Sequence, residues 1–171
     1  MKIIILGAGQ VGASAAEALV SENNDITMVD SDQDRLPHLQ DRLDIQTVHG
    51  NAAHPSVLAS AGVDDADLLI AVTQSDQTNL VACKVAHSVF NVPSRIARLR
   101  AADFVDSEKL LAPENFAVDY ALVPEKVITE YIARLVDFPE ALQVLSFAGG
   151  SVVLVGVRAY AGGLLVGSPI K

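Results

Sequence analysis

The residues best suited to chemistry in this 171-residue chain lie at its start, where Gly7-Ala8-Gly9-Gln10-Val11-Gly12 follows the apolar run Ile3-Ile4-Ile5-Leu6. A Gly-x-Gly-x-x-Gly turn that leaves a strand and enters an alanine-rich helix is a cradle for phosphates. Gly7 permits the tight turn, Gly9 lets the backbone approach a pyrophosphate, and Gly12 allows the helix to pack closely on the strand. The amides at the helix start, around Ala8, Gln10 and Val11, point at the phosphates. A second apolar run, Ile26-Thr27-Met28-Val29, ends in Asp30, 18 residues beyond Gly12. That carboxylate can accept hydrogen bonds from both hydroxyls of an adenine ribose and would repel a 2′-phosphate. The alternative is a glycine-rich turn in a Rossmann-like sheet that binds nothing. Strand, turn, helix and acid in this order favour the dinucleotide.

The rest of such a site is expected beyond the carboxyl ends of the other strands. Three places qualify. His49-Gly50-Asn51-Ala52 follows the third strand, where Asn51 and Ala52 would border an adenine. Thr73 and Asp76, after the fourth strand, could touch the pyrophosphate or the distal ribose. They could equally cap the helix that starts near residue 76, and the two roles are compatible. Arg98 ends the fifth strand, where a cation can pair with phosphate. Arg95 and Arg100 are expected to face solvent.

Groups for turnover are scarce. Of the four histidines, His38 and His87 fall on helix positions expected to be exposed, His54 on a helix cap, and His49 beside the adenine segment. No Tyr-x-x-x-Lys pair, Cys/His metal spacing or Gly-x-Ser-x-Gly elbow occurs. The expectation is a binding site and not an enzyme. Two alternatives stand beside it: an NAD-dependent oxidoreductase whose substrate domain is missing from this chain, and a redox sensor that binds NADH without a membrane partner.

Apolar runs at 2–6, 26–29, 45–48, 68–72, 95–99 and 117–123 read as short buried strands. Helical patterns lie between them at 10–22, 32–43, 54–61, 76–91, 102–112 and 125–137. Parallel strands need crossover helices, so this alternation predicts an α/β fold with a doubly wound, Rossmann-like parallel sheet. After Asp137-Phe138-Pro139 the pattern changes to a hairpin, Leu142–Phe147 and Val152–Val155 around Gly149-Gly150-Ser151, then a glycine-rich tail at 162–167. A lone hairpin is marginal in water. Residues 140–171 are therefore expected to be the truncated start of a smaller α+β domain, after a first domain at 1–123 and a linking helix at 124–139. That helix carries Val127, Ile128, Tyr131, Ile132, Leu135 and Val136 as two adjacent apolar stripes. It could hold a partner subunit or lie against its own sheet.

Composition narrows the partners. The net charge is −9, and the 12 Lys and Arg form no dense tract, which argues against nucleic-acid binding. No run approaches the roughly 18 apolar residues that insert into a bilayer. The single cysteine, Cys83, precludes an internal disulfide, suits a reducing cytoplasm, and is expected in the core.

The spelling Met1-Lys-Ile-Ile-Ile-Leu-Gly-Ala-Gly-Gln-Val-Gly12 closely resembles the opening of the TrkA family, regulatory subunits of bacterial Trk potassium uptake systems. So do Asn23-Asn24-Asp25-Ile-Thr, Asp65-Ala66-Asp67, Ala71-Val72-Thr73, Asn91-Val-Pro-Ser-Arg-Ile-Ala-Arg98 and Ala141-Leu-Gln-Val144. The resemblance implies a domain of the kind called RCK or KTN that binds NAD(H), and ATP or ADP at the same site. It implies nucleotide contacts at Gly7, Gly9, Gly12, Asp30, Asn51, Thr73 and Arg98, and at Glu125 near the phosphates. Many relatives carry an acid at the position of Asn51. The resemblance further implies a cytoplasmic protein held at the inner face of the cell membrane by its partner, the integral-membrane transporter subunit TrkH. It also implies self-association into dimers or tetramers, partly through helix 125–137, and gating of the transporter.

Overall fold

The computed structural model describes residues 1–20, 22, 24–139, 141–162 and 166. They form two compact units, Met1–Pro124 and Glu125–Lys171.

The first unit is organised by β1 (Lys2–Leu6), in which Ile3, Ile4, Ile5 and Leu6 are each no more than 1% exposed. Successive strand side chains point to opposite faces. Accordingly Ile3 and Ile5 join a core with Ile26, Met28, Leu36 and Leu39, whereas Ile4 and Leu6 join one with Val29, Leu58, Leu69 and Leu80. A strand apolar on both faces must be covered twice. Each such side chain contributes about 1.5–3 kcal/mol by its burial. Around β1 lie β2 (Asp25–Asp30), β3 (Gln46–His49), β4 (Leu68–Ala71), β5 (Ser94–Arg98) and β6 (Tyr120–Leu122), ordered β3-β2-β1-β4-β5-β6. Every neighbouring pair is parallel. Helices α1 (Gln10–Val20) and α2 (Leu36–Arg42) cover one face; α3 (Pro55–Ser60) and α4 (Asp76–Ser88) cover the other. This is the expected Rossmann-like sheet. The strand order reverses between β1 and β4, so the chain leaves these strands in opposite directions and opens a crevice at their carboxyl ends.

Several elements differ from expectation for local reasons. Helix α4 stops at Ser88 because Asn91 turns left-handed, with φ of 57°, and the Val92 amide folds back onto the Ala86 carbonyl at 3.0 Å. The helix expected over 102–112 is two short ones, α5 (Ala102–Val105) and α6 (Glu108–Leu111). The break falls at Asp106-Ser107, two weak helix formers in succession. Ala117 has φ of 55°, so the edge strand begins only at Tyr120.

Arg95 overturns its expected solvent position: it is 5% exposed. Its guanidinium donates to the Ala117 carbonyl at 2.7 Å, to the Asp119 carboxylate at 2.8 Å and to the Val92 carbonyl. Arg95 shares a strand face with buried Ala97 and Leu99, and two of its partners, Ala117 and Asp119, come from the segment entering β6. No local pattern reports such a remote carboxylate. Cys83 is fully buried, as expected, and burial pushes its thiol up from 9.0 to about 12.

The second unit, by itself, holds α7 (Pro124–Asp137) and an antiparallel hairpin of β7 (Ala141–Phe147) and β8 (Val152–Val157). On α7 the residues Val127, Ile128, Tyr131, Ile132 and Val136 are exposed, and Leu135 is half-buried. Most of the expected glycine-rich tail lies outside the described residues.

Two measurements check this packing. A Cβ on Gly12 would stand 1.8 Å from the Gly7 carbonyl oxygen. Gly12→Ala is therefore expected to cost about 1–3 kcal/mol in urea denaturation, and parental stability would refute the close approach. For Cys83, the unfolded chain loses the thiol proton near its ordinary value of 9.0, whereas the folded chain keeps it to about 12. Between those values the unfolded state binds fewer protons, so stability falls as pH rises. From about pH 8 to about pH 10.5 the parent should lose stability relative to Cys83→Ala, and parallel curves would contradict the burial.

Candidate nucleotide-binding site

The crevice begins with the turn out of β1. Gly7 has φ of 108°, and a Cβ there would meet the Thr73 amide nitrogen at 2.9 Å. The Gly7 amide donates to the Val29 carbonyl at 2.7 Å, and the Val72 amide donates to the Leu6 carbonyl at 2.8 Å. These contacts seat the turn between β2 and β4. The first ladder bond of α1 runs from the Ala13 amide to the Gly9 carbonyl at 2.9 Å. The amides of Gln10, Val11 and Gly12 precede it, and the opening amides of a helix have no acceptor within the helix. The first turn of α1 carries no acid, so the positive end of its dipole is not offset there. Unlike Gly7 and Gly12, Gly9 faces open space: the nearest atom to a Cβ built on it is Arg35 Nη1, at 3.9 Å.

Asp30 stands at the end of β2 and is 9% exposed. One carboxylate oxygen accepts the Ala8 amide at 2.5 Å and the other accepts the Asp32 amide at 2.7 Å. The acid therefore ties the glycine turn to β2, and each oxygen retains capacity for a further donor. The Asp32 carboxylate pairs in turn with Arg35 Nε at 2.9 Å.

Gly7, Gly9, Gln10, Val11, Asp30, Thr73 and Arg98 line one cleft of about 570 Å³, together with Ser31, Asp32, Arg35, Val72, Gln74 and Arg100. Asn51 and Ala52 line an adjoining recess of about 210 Å³ that shares Asp30, Ser31, Thr73 and Gln74 with the cleft. The Asn51 side chain accepts the Ala53 amide at 2.9 Å, which shapes the loop after β3. Arg98 is half-buried, and its Nε is buried without a hydrogen-bond partner among the described residues. A buried guanidinium nitrogen beside opening helix amides fits an anion, so this residue set suits a phosphate-bearing ligand.

Other expected site residues lie elsewhere. Ala8 lines neither cavity, and its amide, expected to face the phosphates, is taken by the Asp30 carboxylate; Gly12 packs under the turn. Asp76 lines neither cavity: its carboxylate accepts the amides of Arg100 and Ala101, each at 2.9 Å. The cap of α4 is Ser75, which accepts the Thr78 amide at 3.2 Å, and not Thr73 or Asp76. His54 occupies the N-cap position of α3 but makes no side-chain cap bond. Glu125 belongs to the second unit, in the first turn of α7. Sequence reasoning missed Arg35 and set Arg100 facing solvent. Arg100 is indeed exposed, yet it also lines the cleft and donates to the Gln74 carbonyl. The signal that could have found Arg35 is the Asp32-x-x-Arg35 spacing after Asp30, which lets the two side chains pair at 2.9 Å on the rim of the cleft.

Residues 3–124 match the TrkA-N domain family. The chain belongs to that family. It is 53% identical over 172 residues to the Trk system potassium uptake protein TrkA of Vibrio alginolyticus, covering 100% of this chain and 38% of that protein. It is 54% identical over 170 residues to its namesake in Halomonas elongata, covering 99% and 37%. The chain thus spans under two-fifths of the length of these relatives. Among solved structures, the TrkA-N domain of inner membrane protein ybaL from Escherichia coli superposes with a TM-score of 0.69 at 19% identity, covering 78% of this chain and 95% of that one. The GsuK channel bound to NAD superposes at 0.65 and 21% identity, covering 86% and 25%. At such identities the likeness is one of fold, that of TrkA-N and RCK domains. No helix among the described residues is long and apolar enough to cross a membrane, and no cluster of metal-ligating side chains occurs among them.

The three glycines of this TrkA-N domain can be separated by experiment. Gly9→Ala meets no atom within 3.9 Å and its φ lies outside the left-handed region. Its stability should stay within about 1 kcal/mol of the parent. Its affinity for ADP or NAD should fall, because a methyl group then stands where a phosphate would approach the backbone. Titration and melting of the same sample check both halves, and a variant that melts early but binds normally would reverse the assignment.

Proposed function

We propose that this chain is the nucleotide-sensing part of a regulatory subunit of a Trk-type potassium uptake system. The observation that carries the proposal is the cleft in which Asp30 fixes the Gly7–Gly12 turn while Arg98 presents an unpartnered buried nitrogen. An adenine nucleotide suits that arrangement: ribose hydroxyls at Asp30, adenine in the recess of Asn51 and Ala52, and phosphates between the start of α1 and Arg98. NAD(H) is the first candidate and ATP or ADP the second, supported by the bound NAD of the GsuK channel and by the Trk names of the close relatives.

The described lining residues include arginines, aspartates, threonines and the glutamines Gln10 and Gln74. We favour binding without turnover. An oxidoreductase would have to draw the group that moves a proton beside the nicotinamide from a domain outside these residues, and hydride transfer by a longer chain would favour that alternative. Regulation then follows from linkage. A ligand that binds two conformations with unequal affinity shifts their populations, and a coupled partner senses the shift. In this proposal the partner is an integral-membrane TrkH-like transporter subunit, and the protein lies in the cytoplasm, bound to the membrane only through that subunit. Residues 1–123 form the nucleotide-binding domain. Helix 124–139 joins copies of the chain through exposed Val127, Ile128, Tyr131 and Ile132, and residues 140–171 open the following domain.

Calorimetric titration with NAD, NADH, ATP and ADP tests the reading. At least one of the four should bind, and Asp30→Ala should weaken that binding about tenfold or more, since it frees the glycine turn and removes the ribose acceptor. Equal affinity of parent and variant would remove Asp30 from the site.

A further inference from the structure

The strands that flank the anion end of the cleft are not joined there by a β ladder. Pairing of β4 with β5 reaches Ala71 and Ala97. Beyond it, Thr73 on one side and Arg98, Arg100 and Ala101 on the other are held by the first turns of α4. Asn79 is fully buried. Its Oδ1 accepts the Thr73 amide at 3.0 Å and the Thr73 hydroxyl at 2.7 Å. Its Nδ2 donates to the Arg98 carbonyl at 2.8 Å and to the Thr73 carbonyl at 3.4 Å. All four hydrogen-bonding positions of the carboxamide are thereby used. Three residues earlier, Asp76 takes the amides of Arg100 and Ala101. Neither Asn79 nor Asp76 lines the cleft, but Thr73, Arg98 and Arg100 all do.

We infer that Asn79 and Asp76 are positioning residues for the ligand's phosphates, setting Thr73 against Arg98 and Arg100 so that an anion fits between them. Only a carboxamide meets the geometry at residue 79. A carboxylate would face the Arg98 carbonyl with an acceptor, and an aliphatic side chain would strand both the Thr73 amide and that carbonyl. Arg98 is sensitive to its placement, because its buried Nε has no other partner among the described residues. Asp30 and Asn51, on the ribose and adenine side, are bonded to Ala8, Asp32 and Ala53 and not to this clamp, although Thr73 also borders the adenine recess. The readout is therefore the ratio of ADP to adenosine affinity.

The inference rests on the nucleotide reading above, and its test separates the two. The 171-residue chain, Asn79→Asp and Asp76→Ala are each titrated with adenosine and with ADP, and each is melted by circular dichroism. The alanine removes the one oxygen that takes both the Arg100 and Ala101 amides. If the parent binds none of NAD, NADH, ATP and ADP, the nucleotide reading itself fails, and this inference with it. If it binds another of the four but not ADP, that nucleotide takes the place of ADP. Where the parent binds, each variant should hold adenosine within about twofold of the parent while ADP weakens about tenfold or more. A purely structural role would lower both affinities together or neither. An unchanged ratio of ADP to adenosine affinity in a cooperatively melting variant therefore overturns the inference. Should Asn79→Asp fail to melt cooperatively, Asp76→Ala, which leaves Asn79 and its bonds to Thr73 and Arg98 in place, decides by the same ratio.

Discussion

The absence of a side chain at Gly12 lets the Gly7 carbonyl sit where a Cβ would otherwise stand, 1.8 Å away. Everything at the carboxyl edge of the sheet depends on that contact. It brings α1 down onto β1 within one turn, which places the helix's opening amides beside the end of β4. Gly7 completes the fit from the other side, with the Thr73 backbone against the face that lacks a Cβ. The sheet can then be closely packed and still open a crevice, because the strand order reverses at this point. Gly9 is the third glycine of the motif but not part of this constraint. Its bare face looks onto the cleft, so packing holds two of the glycines and access would hold the third.

Charge is distributed unevenly around the constraint. The chain carries a net −9, yet Arg35, Arg98 and Arg100 converge on one cleft. Arg35 is drawn in by Asp32, whose own amide is held by Asp30. The acid that would meet a ribose thus also organises a cation on the same rim. Arg95 shows the contrasting use of the same residue type. Its charge is paired with Asp119, and two carbonyls accept from its Nε and Nη1, so it fixes the entry to β6 and leaves the crevice to Arg98. Removing the half-exposed Asp119 would leave the buried Arg95 charge unpaired, which is costlier than never burying it.

Sequence reading located the cleft from a short list of residues because each carries a local signature. Glycines mark a turn, an acid at a strand end marks a ribose-facing carboxylate, and two-sided apolar runs mark covered strands. It failed where function is delegated through space. Asp76 has the chemistry of a ligand contact, but one of its oxygens takes the amides of Arg100 and Ala101, and its side chain does not line the cleft. Asn79 looks like an ordinary polar residue in a helix, and only its burial shows that its amide joins Thr73 to Arg98. Arg95 and Arg98 share a short strand and a side-chain type. Which of them is clamped and which meets the cleft depends on a carboxylate 24 residues away from Arg95.

By itself the sequence determined the parallel sheet, the order of its elements, the glycine turn and the acid that faces it, because strand periodicity, turn chemistry and glycine placement are local properties. The membership of residues 3–124 in the TrkA-N family follows from the same letters. Tertiary structure decided which cations and polar groups serve the cleft and which serve the fold. A guanidinium or carboxamide takes its role from the nearest complementary group, and in a folded chain that group comes from a different strand or helix, at a distance along the sequence that no local pattern records.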